Sequence, residues 1–506
     1  MLFRSSFKLF NTSRVSAYQL YSTEALLSSS SSSYSSSSSS SSFSELHHQI
    51  IGDNGDPTIP LTPVLNQWLQ HGGSLTHKQI QYLISTLSYS RRYTHALQIS
   101  EWMSESSKYN LTPGDVAKHL NLISKVRGLE QTESFYRGIP DALIGFKVNA
   151  ALLKCYAEHK SLEKAEAIMK KIKKVCPVNS PTCYNMMLKL YAQLGKYDKL
   201  DSLMREMMEK DICNGATYTI RLNAYVAAAD IEGMEKLLMR MEVDPLATVD
   251  WYTYTTAANG YLKGGNVEKA LSALKKSERL AVGRSKRLAY ECIQTIYATS
   301  GNKDEVYRIW DKCKALNGFQ NKDYLCMLSS LVKLADIDGA EKILEEWESN
   351  YKVFDTRIPH LMIRAYCNYG MLDKAEAYIK RLLDSGKQLH ASTWDNLADH
   401  YCTDNDMEKA VQAMKNVLSA KRPRWRPNPL VLAASLEYLK EKGDLESVFQ
   451  ILKFYSEGGY LSVATYDKLV SYVHGEIPDA KAIDLIRVEN RLDEDTEHLD
   501  EDTNDV

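Results

Sequence analysis

The chain has 506 residues, of which 44% are hydrophobic and 25% charged, the average composition of a globular protein. The formal net charge of −2 hides an acidic end, because residues 490–506 carry eight acids against Arg491 alone. The rest of the chain is mildly basic, so the composition permits an anionic partner. No stretch approaches the roughly 20 apolar residues of a membrane span. The nine cysteines are odd in number and never in CxxC spacing, which argues against a disulfide framework or a zinc module.

Residues 1–27 have the composition of an organelle transit peptide. Arg4, Lys8 and Arg14 are interspersed with apolar and hydroxyl residues, and no acid precedes Glu24. A secretory signal would need an unbroken apolar core of roughly 7–15 residues, which these three cations interrupt. The segment therefore predicts import into the mitochondrial matrix, with the plastid as the second choice.

Two further segments are predicted to be disordered. Residues 28–59 begin with a tract of serine broken only by Tyr34 and Phe43 as far as Ser44, and such a tract buries too little apolar surface to offset its ordering entropy. Residues 489–506 form the acidic tail. We therefore expect a linker at the first position and a solvated tail at the second.

Between these segments the sequence repeats with a period of about 35 residues. Twelve equivalent positions, spaced 33 to 38 residues apart and called anchors below, are Leu87, Ile123, Tyr156, Tyr191, Tyr225, Tyr261, Tyr297, Leu331, Tyr366, Tyr401, Leu439 and Val473. Seven of the twelve residues that lie nine positions after an anchor are alanine. The regularity indicates that one unit recurs through the body of the chain.

The stretch YNMMLKLYAQLGKYDK, which begins at Tyr184, indicates the structure of one unit. Tyr184, Met187, Leu188 and Tyr191 fall at i, i+3, i+4 and i+7, the spacing of one helical face. Gly195 supplies a turn before a second apolar helix, and the small residue nine positions after the anchor lets the two helices approach closely. A lone hairpin cannot bury both apolar stripes, so the units must stack. The prediction is an all-α, right-handed solenoid of about twelve helix-turn-helix repeats over residues 60–488, with a concave groove.

Several units open on Tyr followed by a polar residue, as in Tyr184-Asn185 and Tyr218-Thr219, and LDKAEAYIKRLLDSG from Leu372 is a representative second helix. Glycine lies in the turn, whereas the tetratricopeptide pattern places it inside the first helix. The array resembles the pentatricopeptide repeat family, of the pure-repeat type found in plant organelles.

This resemblance implies binding of single-stranded organellar RNA, one base per repeat. In the family, the residue after the first-helix Tyr and the residue four before the next Tyr choose the base. Carried over, Asn185 with Asn214 favours a pyrimidine, and Thr219 with Asp250 favours guanine. Thr255 is the next residue in this register, and later units depart from the pattern.

The loop KRPRWRP stands where the spacing stretches to 38 residues. Its four cations and its tryptophan could hold phosphates and stack a base. The candidates for this role are Lys421, Arg422, Arg424, Trp425 and Arg426. The alternative is an ordinary solvated loop between repeats.

Catalytic signatures are missing from the sequence: it has no HExxH, no Cys/His metal spacing and no Gly-rich phosphate loop. Only some twenty residues follow the last repeat, so we expect no enzymatic activity, cofactor or metal. The leading hypothesis is an RNA-binding protein acting in transcript stability, processing, splicing or translation. The alternative is an interaction solenoid, for instance an accessory component of the organellar ribosome, and the third is a tetratricopeptide-like cytosolic adaptor.

Overall fold

The computed structural model describes residues 40–51, 60–106, 108–175, 181–244, 247–316, 318–351, 353–420, 428–477 and 480–486. The predicted transit peptide and acidic tail lie outside these ranges. Within them the regular structure is helical, without a β-strand. The α-helices are α1 Ser40–Ile51, α2 Leu61–Gln70, α3 His77–Tyr89, α4 Tyr93–Glu105, α5 Pro113–Arg137, α6 Phe146–Glu158, α7 Leu162–Val175, α8 Pro181–Gln193, α9 Tyr197–Glu209, α10 Gly215–Ala228, α11 Ile231–Val243, α12 Trp251–Lys263, α13 Val267–Leu280, α14 Lys286–Thr299, α15 Lys303–Lys314, α16 Asn321–Lys333, α17 Ile337–Asn350, α18 Arg357–Asn368, α19 Leu372–Asp384, α20 Ala391–Thr403, α21 Met407–Ser419, α22 Pro429–Lys442, α23 Leu445–Glu457 and α24 Val463–Val473.

The helices form the predicted all-α repeat solenoid. Every anchor lies in a helix, from Leu87 in α3 to Val473 in α24, and in most repeats this is the first helix of a hairpin. The second repeat is a single long helix, α5, which Gly128 interrupts with a φ of 81°. The chain divides into two compact units, Met1–Val249 and Asp250–Val506, which are described separately. The right hand of the superhelix stays a prediction.

The turn between the two helices of a hairpin has the same backbone in most repeats. Four residues after the anchor, φ is positive, as predicted from Gly195, where φ is 64°. The equivalent glycines are Gly265, Gly301, Gly370 and Gly443. In five repeats a residue with a side chain adopts this left-handed conformation, namely Arg91, Lys160, Ala229, Ala335 and Asn405. The turn is therefore imposed by the packing of the hairpin and not by glycine alone.

The residue nine positions after the anchor is buried in every repeat. All twelve residues nine positions after an anchor are 0% exposed, whether they are alanine, as at Ala340, or larger, as at Met234. The position therefore belongs to the closely packed interior of each repeat.

The prediction of a disordered linker over residues 28–59 is wrong for residues 40–51. Residues 40–51 form α1, and its Leu46 and Ile50 are each 1% exposed in a core shared with the first repeat. Phe43, Leu46 and Ile50 share one helical face, which covers apolar side chains of α3 such as Leu83. The end of a repeat array needs such a cover, because its apolar face has no neighbouring repeat.

Within each unit, the first helices of successive repeats pack directly against one another. In the first unit α6 contacts α8, and α8 contacts α10. In the second unit the same succession runs from α12 through α14, α16, α18 and α20 to α22. First helices therefore repeat one surface from repeat to repeat within each unit.

Candidate nucleic-acid interface

The surface repeated in this way is the candidate interface. It consists of the residues six before, two before and two after each anchor, which are four residues apart and so lie along one side of the first helix. We call it the first-helix face. In the unit of Tyr191 these residues are Asn185, Lys189 and Gln193, all outside the buried core.

Asn185 and Asn214 are brought together, as predicted. Asn185 Nδ2 donates to Asn214 Oδ1 at 3.2 Å, and Thr217 Oγ1 donates to Asn185 Oδ1 at 2.9 Å. Asn214 also caps α10, because its Oδ1 accepts from the Thr217 backbone N–H at 3.0 Å. Both asparagines are half-buried. Asn214 Nδ2 makes none of the hydrogen bonds found among the described residues, so this amide keeps donors for a base edge.

The second predicted pair is Thr219 and Asp250. Thr219 belongs to the first unit and Asp250 to the second, so each is described within its own unit. Thr219 is half-buried in the first unit, and its Oγ1 donates to Gly215 O at 2.9 Å. Asp250 caps α12 in the second unit, where its Oδ1 accepts from the Thr253 N–H at 3.0 Å. The role of Thr219 and Asp250 in choosing a base stays a prediction.

Thr255 is not on the accessible surface, contrary to the prediction that it reads a base. It is 2% exposed, and its Oγ1 donates to Trp251 O at 2.8 Å. The same hydroxyl lies 2.8 Å from Ser277 Oγ on the second helix of the hairpin. The hydroxyl is enclosed between α12 and α13, so Thr255 acts in packing.

In other repeats, a polar residue six positions before the anchor contacts the start of the next first helix. Gln81 Nε2 donates to Asp115 at 2.7 Å, and His360 Nδ1 lies 2.9 Å from Thr393 Oγ1. Burial, and then the charge on Arg364, lower the pKa of His360 to about 4, so its imidazole is neutral at pH 7. Glu291 is 3% exposed and pairs with Lys322 at 3.0 Å. These side chains therefore connect successive repeats.

The loop that contains Lys421, Arg422, Arg424, Trp425 and Arg426 lies outside the described residues, so its proposed contacts with phosphate stay a prediction.

The first-helix face carries cations that the sequence analysis missed. In the first unit Lys125, Lys154 and Lys189 lie two residues from an anchor, with Glu158 as the acid in the same register. Burial lowers the pKa of the half-buried Lys189, and no described carboxylate lies within ion-pair distance of its Nζ. Lys263, Lys333 and Arg364 hold equivalent positions in the second unit. Counting two residues to either side of each anchor would have found these cations.

Lys173, on the second helix α7, is already paired with an acid of the next second helix, α9. Lys173 Nζ lies 2.8 Å from Glu206, which also accepts from Lys210 and Tyr184. Burial would raise the pKa of Glu206, but these three hydrogen bonds outweigh it and hold the pKa at about 2. This network occupies the cleft between α7 and α9, so the lysine-rich second helix α7 offers less free charge than its sequence indicates.

No group of His, Cys, Asp and Glu side chains among the described residues has the arrangement of a metal site. None of the described helices has the length and apolarity needed to cross a membrane.

Comparisons with known proteins give one family. The model of the PPR repeat matches residues 182–212, 252–280 and 360–386. A pentatricopeptide repeat-containing protein of Arabidopsis thaliana, described as mitochondrial, is 40% identical over 437 residues, which are 86% of this chain and 89% of that protein. A second such mitochondrial protein of Arabidopsis thaliana is 32% identical, over 78% of this chain and 81% of its own length.

Solved structures of the maize pentatricopeptide repeat protein PPR10 are also similar. The RNA-free crystal structure aligns with a TM-score of 0.42 at 15% identity, over 87% of this chain and 68% of that one. The complex with an 18-nt psaJ RNA element aligns with a TM-score of 0.34 at 16% identity, over 89% and 68%.

Proposed function

The chain belongs to the pentatricopeptide repeat family, and from this premise we propose that it binds single-stranded RNA in a plant organelle. The observation that carries the proposal is the Asn185–Asn214 network, in which a cap residue and a first-helix residue present amides side by side. Amide groups at such a site can hydrogen-bond the edge of an unstacked base.

The charge distribution of the first-helix face supports the same proposal. Lys125, Lys154 and Lys189 in the first unit, and Lys263, Lys333 and Arg364 in the second, lie beside the base-reading register. Such cations neutralise phosphates without reading sequence, while the amides select bases. The protein would then act on transcript stability, processing, splicing or translation by occupying a single strand.

We place this activity in the mitochondrial matrix. Relatives that are 40% and 32% identical are described as mitochondrial, and residues 1–27 have the composition of a transit peptide. Import of the first 27 residues fused to a fluorescent protein tests this location, and plastid fluorescence would reassign it.

The direct test of RNA binding is crosslinking in purified organelles followed by sequencing of the bound RNA. We expect crosslinks concentrated on a limited set of single-stranded transcript segments. A purified protein should bind the recovered segments more tightly than double-stranded RNA of the same sequence. Equal binding to both forms would contradict the proposal.

A second candidate function is an interaction solenoid, such as an accessory component of the organellar ribosome. The burial of Thr255 and the pairing of Glu291 with Lys322 favour it, because these side chains are committed to packing at positions that would otherwise read bases. Gradient sedimentation of tagged protein distinguishes the two functions. Co-migration with a ribosomal subunit after RNase treatment of free transcripts supports the second, and its absence rejects it.

A further inference from the structure

The charge of the first-helix face reverses within the second unit. From α12 to α18, the charged residues two positions before or after an anchor are Lys263, Lys333 and Arg364. In α20 and α22 they are Asp399, Glu437 and Glu441. The change falls between two neighbouring first helices, α18 and α20, which pack directly against each other.

The three acids of α20 and α22 lie outside the buried core. Asp399 and Glu437 are half-buried and Glu441 is exposed. Asp399 accepts from Asn428 Nδ2 at 2.9 Å, and Glu437 accepts from the Ala482 N–H at 3.3 Å. No described ion pair joins any of the three to a cation.

The base-reading register of α20 and α22 is occupied, as it is at Thr255 in α12 and Glu291 in α14, so charge is the feature that changes after α18. Asn428, the cap of α22, donates its amide to Asp399. Asp395, which would read the base with it, is only 9% exposed. Neither residue is arranged like Asn185 and Asn214, whose amides meet at the surface.

We propose that RNA bound to the second unit follows its first-helix face only as far as α18, and that the acids of α20 and α22 exclude it from the last three repeats. Nine first helices precede this boundary and three follow it. One nucleotide per repeat then limits the bound segment to about nine nucleotides instead of twelve. The proposal rests on the RNA binding proposed above and defines its extent.

The test is a length series of unstructured single-stranded RNAs, from six to fourteen nucleotides, titrated against the full chain by fluorescence anisotropy. For the natural protein, affinity should rise with length to about nine nucleotides and then change less than twofold. Neutralising the acids in the triple variant Asp399→Asn/Glu437→Gln/Glu441→Gln should move this plateau to about twelve nucleotides. Each added phosphate contact should steepen the logarithmic salt dependence by about 0.7.

A matched control removes three exposed acids from second helices in the same region, Glu408→Gln/Glu446→Gln/Glu457→Gln. It changes the net charge equally and should leave the plateau at nine. The affinity of each variant for the nine-nucleotide RNA serves as the check of folding.

Two results would overturn the boundary: a natural protein whose affinity keeps rising to twelve nucleotides, or a triple variant whose length dependence matches that of the control. Failure to bind RNA of any length would instead reject the proposed function itself.

Discussion

Asn185 is the residue whose surroundings bear most directly on base reading. Its amide lies between the cap of the next first helix and Thr217, so both its position and its orientation are fixed by hydrogen bonds. We expect Asn185→Ala to weaken binding about tenfold for RNA with the preferred base at this repeat, the effect of losing one base contact. RNAs that already carry another base there should lose less than twofold.

The measurement for Asn185→Ala is an affinity matrix of four RNAs that differ at one position. Asn416→Ala in the second helix α21 is the matched control, because it removes an amide away from the first-helix face. An equal loss on all four RNAs would mean that Asn185 holds the fold or a phosphate and does not choose a base.

His119 is a second residue whose environment gives a measurable effect. It is 7% exposed, lies 2.8 Å from Ser100 Oγ, and packs against Phe135. Burial, and then the charge on Arg127, lower the pKa of His119 to about 4 from 6.5. Because the unfolded chain binds a proton at this imidazole more readily than the folded chain, protonation favours unfolding. The stabilisation of the fold by neutral His119 is therefore complete above pH 6.5 and is lost as pH falls towards 4.

We expect His119→Gln to flatten the pH dependence of stability between about pH 4 and 6.5. The loss of slope is at most about 1.4 kcal/mol per pH unit, the value for one proton. Thermal melting of the first unit across this range measures it, with the exposed His48→Gln as the control. A variant whose melting profile runs parallel to that of the natural protein would show that His119 is not the titrating group.

The hairpin turns show which structural elements the sequence could predict. The position of the turn followed from the anchor in ten of the twelve repeats, and Gly195 and its four glycine equivalents marked the left-handed residue directly. Ala229 and Ala335 adopt the same backbone with no local signal, because the packing of the two helices overrides the preference of alanine. Helix α1 was missed for the opposite reason: the serine tract dominates its composition, while three apolar residues on one face decide its structure.

Ala229 offers a test of this imposed turn. Its φ of 56° costs an L-residue about 1 kcal/mol that glycine avoids. Ala229→Gly should therefore stabilise the first unit by about 0.5–1 kcal/mol, less the extra entropy of glycine in the unfolded chain. Ala227→Gly, two residues earlier in α10, should destabilise it by a similar amount, because Ala227 is helical.

Denaturant unfolding of the two Ala→Gly variants supplies the comparison. Opposite signs are the expected result. Destabilisation by both substitutions would mean that the left-handed residue in this turn carries no strain.

The residues of the candidate interface were predictable from sequence only where neighbouring repeats follow the same register. Asn185 and Asn214 lie as the family register implies, because the cap and the first-helix residue are fixed by helices that follow the repeat. Thr255 could not be placed from sequence, since its burial depends on Ser277 in the facing helix. The cations of the first-helix face were readable in principle, but their register becomes evident only when the packing of first helices on one another is known.

At the scale of the whole molecule, contacts between neighbours dominate the energetics. Each repeat is held by its own hairpin and by adjacent first helices, so a defect should propagate along the chain over a short distance only. Ile293 in α14 is 0% exposed, and Ile293→Ala should cost about 2–5 kcal/mol locally. We expect faster amide hydrogen exchange in α12 to α17, with α20 to α23 unchanged.

Hydrogen exchange followed by mass spectrometry resolves this pattern helix by helix. Leu280→Ala, at a side chain that is 38% exposed on α13, is the control and should leave exchange near the natural rates. If Ile293→Ala accelerated exchange equally in every helix of the second unit, that unit would unfold as one cooperative body. A graded response would instead mean that single repeats can open while their neighbours stay folded, which would allow an RNA strand to be accommodated locally.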